Sequence, residues 1–280
     1  MAIKAIIFSK DRPMQLEACL SSLQYYCPYF CATNTFVVTP SFKTYFNELN
    51  MEINAITVNE TEIDGGFYNT LKIIVEDSKD DDIILLGTDD VIYTNFFTEQ
   101  SITSWTKDPQ CIGLSLRIGE NTQSCRFDYH ALDPHPMVYF SWNWKSSSSH
   151  AGYPFDVSTG VYRASLLKSI LSLGPELKMP NLLEDKGFLA LAHNKLPESN
   201  QYKMAAFNGL SRACILPLNR VQDLYPNAVC GDDTMSAANL ERLYKEGFRI
   251  NWPKLFGFAP QDPFVGKEHF HLVRKEDLIL

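Results

Sequence analysis

Asp82-Ile83-Ile84-Leu85-Leu86-Gly87-Thr88-Asp89-Asp90 is the stretch on which the fold turns. Four unbroken aliphatic residues have an acid before them and Gly87-Thr88 with an acid pair after them. A run this short, followed by a glycine, reads as a strand, and apolarity without alternation means that both its faces are covered, as in a parallel sheet. In open parallel sheets, ligands sit beyond the carboxyl ends of strands. Asp89 and Asp90 stand at such an end.

Upstream, the same texture recurs. Residues 3–8, Ile-Lys-Ala-Ile-Ile-Phe, form a second apolar run. Pro13 suits a first helical turn, and Leu16, Cys19, Leu20 and Leu23 recur at three- and four-residue spacing, which predicts a helix over 13–25. A strand over 34–39 around Phe36-Val37-Val38, a helix over 41–50, a strand over 54–58 and a helix over 66–78 follow. Strands alternating with helices in this order imply a parallel α/β sheet with right-handed crossovers.

Downstream, the pattern changes. A helix is expected over 95–105 and a strand over 111–116, and then 120–155 is irregular and rich in aromatics, Ser, Pro and His. Helices over 163–173 and 181–193, a strand over 213–216, a helix over 235–246 and a strand beginning at 248–250 complete the pattern. The expectation is a single domain over 1–280, with an N-terminal α/β half (1–95) and a half (96–280) that completes and covers it.

The chain has 280 residues, with 25 Lys+Arg against 33 Asp+Glu and a net charge of −8. That balance disfavours broad capture of nucleic acid or anionic membrane. No apolar run approaches the roughly 18 residues of a membrane helix. The N-terminal apolar stretch is too short and too soon charged for a secretory leader. Seven cysteines without a CxxC pair read as reduced thiols, with Cys27 and Cys31 only a faint zinc signal. Together these features imply a cytoplasmic protein.

Several residues carry chemistry. A hard cation such as Mg²⁺ or Mn²⁺ takes carboxylate oxygens and keeps positions for phosphate oxygens. Asp89-Asp90 therefore suits a diphosphate neutralised locally within an acidic chain, although an acidic turn explains the same dipeptide. Glu184-Asp185 falls in the first turn of a predicted helix, where the helix dipole alone accounts for acids. The Glu76–Asp82 charge run reads as a solvated loop, and Asp232-Asp233 as a helix cap. His269 and His271 point to one face if their segment is extended. Trp142 and Trp144 suit either sugar stacking or the core, and Ser146–Ser149 beside them suggest a flap that excludes water.

The opening Ala5-Ile-Ile-Phe-Ser-Lys-Asp-Arg-Pro-Met-Gln-Leu-Glu-Ala-Cys-Leu20, together with Leu85-Leu-Gly-Thr-Asp-Asp90, resembles the nucleotide-sugar-binding region of GT-A-fold glycosyltransferases. Tyr153-Pro-Phe-Asp-Val-Ser-Thr-Gly-Val-Tyr-Arg163, Pro180-Asn-Leu-Leu-Glu-Asp185 and Leu218-Asn-Arg-Val-Gln222 extend the likeness in order along the chain. Thr159-Gly160 stands where members often carry Asp-Gly, and Thr-Asp-Asp where many carry Asp-x-Asp. The resemblance implies a GT-A-like, Rossmann-type, mostly parallel sheet flanked by helices, with 1–95 binding the nucleotide-sugar and 96–280 forming the acceptor side. It maps the direct metal ligand to Asp90, with a late histidine, His271 or His269, completing the shell. It makes Asp185 or Glu184 the general base of an inverting transfer, with Asp185 favoured. Ser9, Arg12, Asp64 and Asp89 are the expected donor contacts, with Lys10 beside them.

The implied activity is metal-dependent transfer of a sugar from a nucleoside-diphosphate donor, most often a UDP-sugar in such proteins, to a hydroxyl on a glycan or lipid-linked acceptor. Two rivals remain. A nucleotidyltransferase usually carries a Gly-rich basic loop, and Ser9-Lys-Asp-Arg-Pro13 has no glycine. A non-catalytic sugar-nucleotide or glycan-binding module would use the fold for recognition alone.

Overall fold

The computed structural model describes residues 1–30, 33–41, 54–127, 133–134 and 139–279. Its strands are β1 (Ile3–Phe8), β2 (Thr35–Thr39), β3 (Ile56–Asn59), β4 (Ile83–Thr88), β5 (Val91–Tyr93), β6 (Cys111–Gly119), β7 (Asp133–Pro134), β8 (Tyr139–Asn143), β9 (Gly160–Arg163), β10 (Lys203–Phe207), β11 (Ala213–Ile215), β12 (Phe248–Ile250) and β13 (Leu272–Arg274). The helices are α1 (Pro13–Tyr26), α2 (Gly66–Glu76), α3 (Glu99–Thr103), α4 (Ala164–Leu171), α5 (Pro180–Ala192) and α6 (Ala237–Lys245).

Among the described residues, nine strands form one sheet in the order β3-β2-β1-β4-β9-β6-β10-β8-β7. β1 to β4 pair in parallel, and β9 and β8 alone oppose the common direction, so seven of the nine run the same way. This is the α/β architecture with a mostly parallel, helix-flanked sheet that the sequence implies. β5–β11 and β12–β13 form two small antiparallel pairs beside it.

The pleat divides the core. Ile3, Ala5 and Ile7 of β1 and Ile83 and Leu85 of β4 face one cluster with α1 and α6, while Ile6, Phe8, Ile84 and Leu86 face a second cluster with α2, α4 and α5. Successive strand residues point to opposite faces, so an unbroken apolar run requires two such layers. The insertion of β9 between β4 and β6 also places the site. Because β9 runs against its neighbours, the loop that enters it, 153–159, lies at their carboxyl ends.

The structure corrects several expectations. Helicity over 95–105 is confined to α3 and a 3₁₀ turn, Ser104–Lys107. The irregular 120–155 stretch contains β8, and Trp142 and Trp144 are 1% and 4% exposed. Their indole N–H groups donate to the carbonyls of Ala151 (2.7 Å) and Gln201 (3.1 Å), so both are wall residues and not sugar platforms. Pro180 starts α5 one residue early, which moves Glu184-Asp185 into the second turn, and the first turn carries no acid. The dipole explanation weakens accordingly. The helix expected over 41–50, together with Cys31, His130 and His135, lies outside the described residues. Among the described residues six cysteines are free thiols, five of them buried. No helix among the described residues is long and apolar enough to cross a membrane.

Candidate active site

The carboxyl edge of the sheet carries two charged centres. The first is built where β1 and β4 end. Beyond β1 the backbone passes through the left-handed region at Asp11 (φ 54°), a conformation that costs most side chains energy but suits Asp and Asn. On one side of this turn, Ser9 Oγ and the Lys10 N–H donate to Asp89 Oδ2 at 2.9 and 3.3 Å. On the other side, the Arg12 guanidinium forms an ion pair with Asp89 Oδ1. Asp89 is fully buried. Burial, against the pull of Arg12 and helped by the Asp90 charge, leaves its carboxyl pKa pushed up to about 6.

Asp90 meets the same guanidinium from a more open position. Its side chain is 17% exposed; Oδ1 accepts from Thr88 Oγ1 at 2.6 Å, and Oδ2 lies 3.5 Å from Arg12 Nη1. The two acids therefore have different surroundings: Asp89 anchors Arg12 from inside the fold, and Asp90 is partly open to solvent. Arg12 Nη1 also donates to the Asn219 carbonyl at 3.3 Å, which brings the 218–222 segment onto the same spot.

The donor set at Asp90 fits a hard cation of the Mg²⁺ type, which binds one or two carboxylates and completes its shell with water and substrate phosphates. A closed protein cage is not present: among the described residues, no three or more His, Cys, Asp and Glu side chains gather as a metal site. His269 closes a 3₁₀ turn, Lys267–His269, so its segment is not extended as expected. The His269 ring lies 4.5 Å from Phe258, and its Nε2 is 3.6 Å from Glu268. The His271 carbonyl accepts from Asn251 N–H at 2.7 Å; burial and the neighbouring Lys254 and His269 lower its imidazole pKa. Asp64 is exposed in the turn before α2, where its carbonyl accepts from Asn69 Nδ2 at 2.7 Å beside the left-handed Gly65.

Sequence reasoning missed Glu60, the first residue after β3. It is partly buried beside Lys10, and burial lifts its carboxyl to about 7 against the pull of that lysine. The signal was available: an acid directly follows the strand that ends the parallel unit.

The second centre lies around Glu184-Asp185. Arg117, buried near the end of β6, pairs with Asp156 at 3.3 Å, and both side chains are about 5% exposed. Asp156 also accepts from the backbone N–H of Ser158 (2.9 Å) and Thr159 (3.2 Å) and from Thr159 Oγ1 (2.7 Å). This turn presents the Val157 N–H to Glu184 Oε1 at 3.4 Å. Gly160 is required behind it, because a Cβ there would run into the Asp156 carbonyl and the Tyr162 hydroxyl. Burial first, and then the Asp156 charge, raises the Glu184 pKa, while Arg117 works against both. Asp185 Oδ2 accepts from the Tyr225 hydroxyl at 3.3 Å, and Tyr153 stacks on Phe188 with centroids 4.6 Å apart. Arg117 and Asp156 were also missed by sequence reasoning.

One segment touches both centres. Asn219 meets Arg12 and Tyr225 meets Asp185. Asn219 and Tyr225 are six residues apart, so their Cα atoms lie within roughly 22 Å of one another.

No known family model matches the chain. A curated relative, the bifunctional glycosyltransferase pgtA of Dictyostelium discoideum, is 21% identical over 277 residues, covering 89% of this chain. The chain spans about a third (36%) of that protein's length. Among solved structures, S. aureus TarS matches with TM-score 0.46 and 16% identity, over 78% of this chain and 37% of its own. The mannosyltransferase PcManGT from Pyrobaculum calidifontis, solved in complex with GDP-Man and Mn²⁺, matches with TM-score 0.33 and 14% identity, over 61% of this chain and 46% of its own. The sequence likeness to glycosyltransferases is thus met by a curated relative, while the architecture stands on the strand order described above.

Proposed function

We propose that this chain is a GT-A-like glycosyltransferase that moves a sugar from a nucleoside-diphosphate donor, with UDP the first base to test, to a hydroxyl of a glycan or lipid-linked acceptor. One observation carries the reading: two distinct acid centres lie at the carboxyl ends of the sheet, one with a partly exposed carboxylate beside an anchored arginine, the other with an acid pair set against the Arg117–Asp156 turn. The relative's glycosyltransferase activity supports it.

Residues 1–95 hold the donor and 96–280 complete the acceptor side. Ser9 and Asp89 fix Arg12, whose guanidinium faces the departing diphosphate, and Lys10 and Glu60 border the nucleoside. Asp90 would hold a divalent cation, Mn²⁺ or Mg²⁺, at the donor's diphosphate. When bound, that cation neutralises charge on the leaving group. Glu184 takes the proton of the attacking acceptor hydroxyl, since a general base works best with a pKa near the operating pH. Asp185, held by Tyr225, orients the acceptor. The free thiols favour a reducing, cytoplasmic setting.

The test is a thermal-shift screen of UDP, GDP and CDP with and without Mn²⁺, followed by donor turnover with candidate acceptors. A ligand that binds only the native state raises its stability. The reading fails if no nucleoside diphosphate stabilises the protein and no donor is consumed with any acceptor.

A further inference from the structure

The buried Arg117–Asp156 pair has no part in donor binding as described, yet it lies immediately behind Glu184. We propose that Asp156, clamped by Arg117, is a positioning residue for Glu184: it builds the 156–159 turn whose Val157 N–H meets the Glu184 carboxylate, and it sets a fixed negative charge behind that carboxylate.

The geometry separates two jobs. Asp156 uses Oδ1 for the Ser158 N–H and Oδ2 for the Thr159 N–H, the Thr159 hydroxyl and Arg117. Three of these contacts are hydrogen bonds donated to Asp156 and the fourth is its ion pair with Arg117. The Glu184 carboxylate, by contrast, receives one long backbone bond at 3.4 Å. A carboxylate with four such contacts thus stands behind one with a single long bond, and a like charge in that position disfavours the ionised form of the second. The other groups facing Glu184 do not reverse this. Asp185 on the same helix adds negative charge, and Tyr153, Tyr162 and Tyr225 are held neutral by burial and the neighbouring acids. His150, which also senses Arg117 and Asp156, has its protonation disfavoured by burial and Arg117. Arg117 is the cation acting on Glu184, and its Asp156 pairing offsets it.

The inference rests on Glu184 as the base only for its effect on rate. Its structural part is measured directly, by ¹³C-carboxyl NMR titration of glutamate-labelled full-length protein, with Glu184→Gln identifying the resonance. Asp156→Asn, which keeps an acceptor for the turn, is expected to lower the Glu184 midpoint by at least one pH unit. Arg117→Gln is expected to raise it. A merely structural role would loosen the turn in both variants and move both midpoints down toward the solvent value, and that result, or an unmoved midpoint in Asp156→Asn, overturns the proposal. If Asp156→Asn fails to fold, the sign in Arg117→Gln decides; if Arg117→Gln fails to fold, Arg117→Met takes its place with the same expected rise, and a fall there overturns the proposal. The acid limb of the pH–kcat profile is expected to follow the midpoint in each variant. A midpoint that moves as expected while the acid limb stays fixed supports the proposal for Asp156 and removes Glu184 as the base.

Discussion

Arg12 is held from within the fold by Asp89, a carboxylate with no exposure to solvent, while its other terminal nitrogen reaches the carbonyl of Asn219. Removing one partner of a buried ion pair leaves an uncompensated charge, which costs about 3–5 kcal/mol. Arg12→Ala should therefore destabilise the protein by about that amount in urea unfolding, and Arg12→Ala with Asp89→Asn should recover part of it. If the double variant is no more stable than Arg12→Ala, the buried acid is not what makes the loss large.

Asp90→Asn should leave folding nearly untouched, within about 1 kcal/mol, because its side chain is partly exposed and its bond from Thr88 can persist. The same change should abolish the Mn²⁺-dependent part of any nucleotide stabilisation. Thermal shift with and without the cation reads both at once. A cation effect that survives in Asp90→Asn would remove Asp90 as its ligand.

Stability should depend on pH through Glu184. Its pKa is raised in the folded state, so its contribution is fully present below the unfolded value near 4.5 and is lost as pH rises through the folded one. Glu184→Gln, neutral at every pH, should thus come closest to the native protein near pH 4 and exceed it increasingly up to pH 8, by roughly 2 °C or more in Tm. Parallel Tm curves across this range would show that Glu184 carries no such penalty.

Trp142→Phe should cost stability without touching donor binding. The change deletes the buried N–H donated to the Ala151 carbonyl, leaves that carbonyl unsatisfied and opens a small void, together about 1–3 kcal/mol. A nucleotide affinity that falls more than twofold in folded Trp142→Phe would return the indole to the site.

How legible this was varied by residue. The β4 run and the acid pair after it could be read, because a doubly covered strand needs unbroken apolarity. The division of labour between Asp89 and Asp90 could not, since it follows from which way each side chain leaves the strand end. Glu184-Asp185 stood out as acids on a helix, but their place in it depended on Pro180 occupying the first helical position. Arg117 sits within a buried nine-residue strand and Asp156 begins a tight turn; each is a single charge without a repeat or partner nearby in sequence. Their pairing spans 39 residues and exists only because β9 inserts between β4 and β6. The shared face expected of the late histidines was not legible for a local reason: a 3₁₀ turn stands where an extended segment was expected.

The short span from Asn219 to Tyr225 has a consequence for how variants combine. A substitution at Arg12 loosens one end of that span, and one at Tyr225 loosens the other. Sites joined through a shared backbone segment do not contribute independently, and coupling of about 0.5–3 kcal/mol is usual between them. Arg12 and Tyr225 therefore belong to one thermodynamic cycle, and effects measured at either alone will not sum to those of the pair.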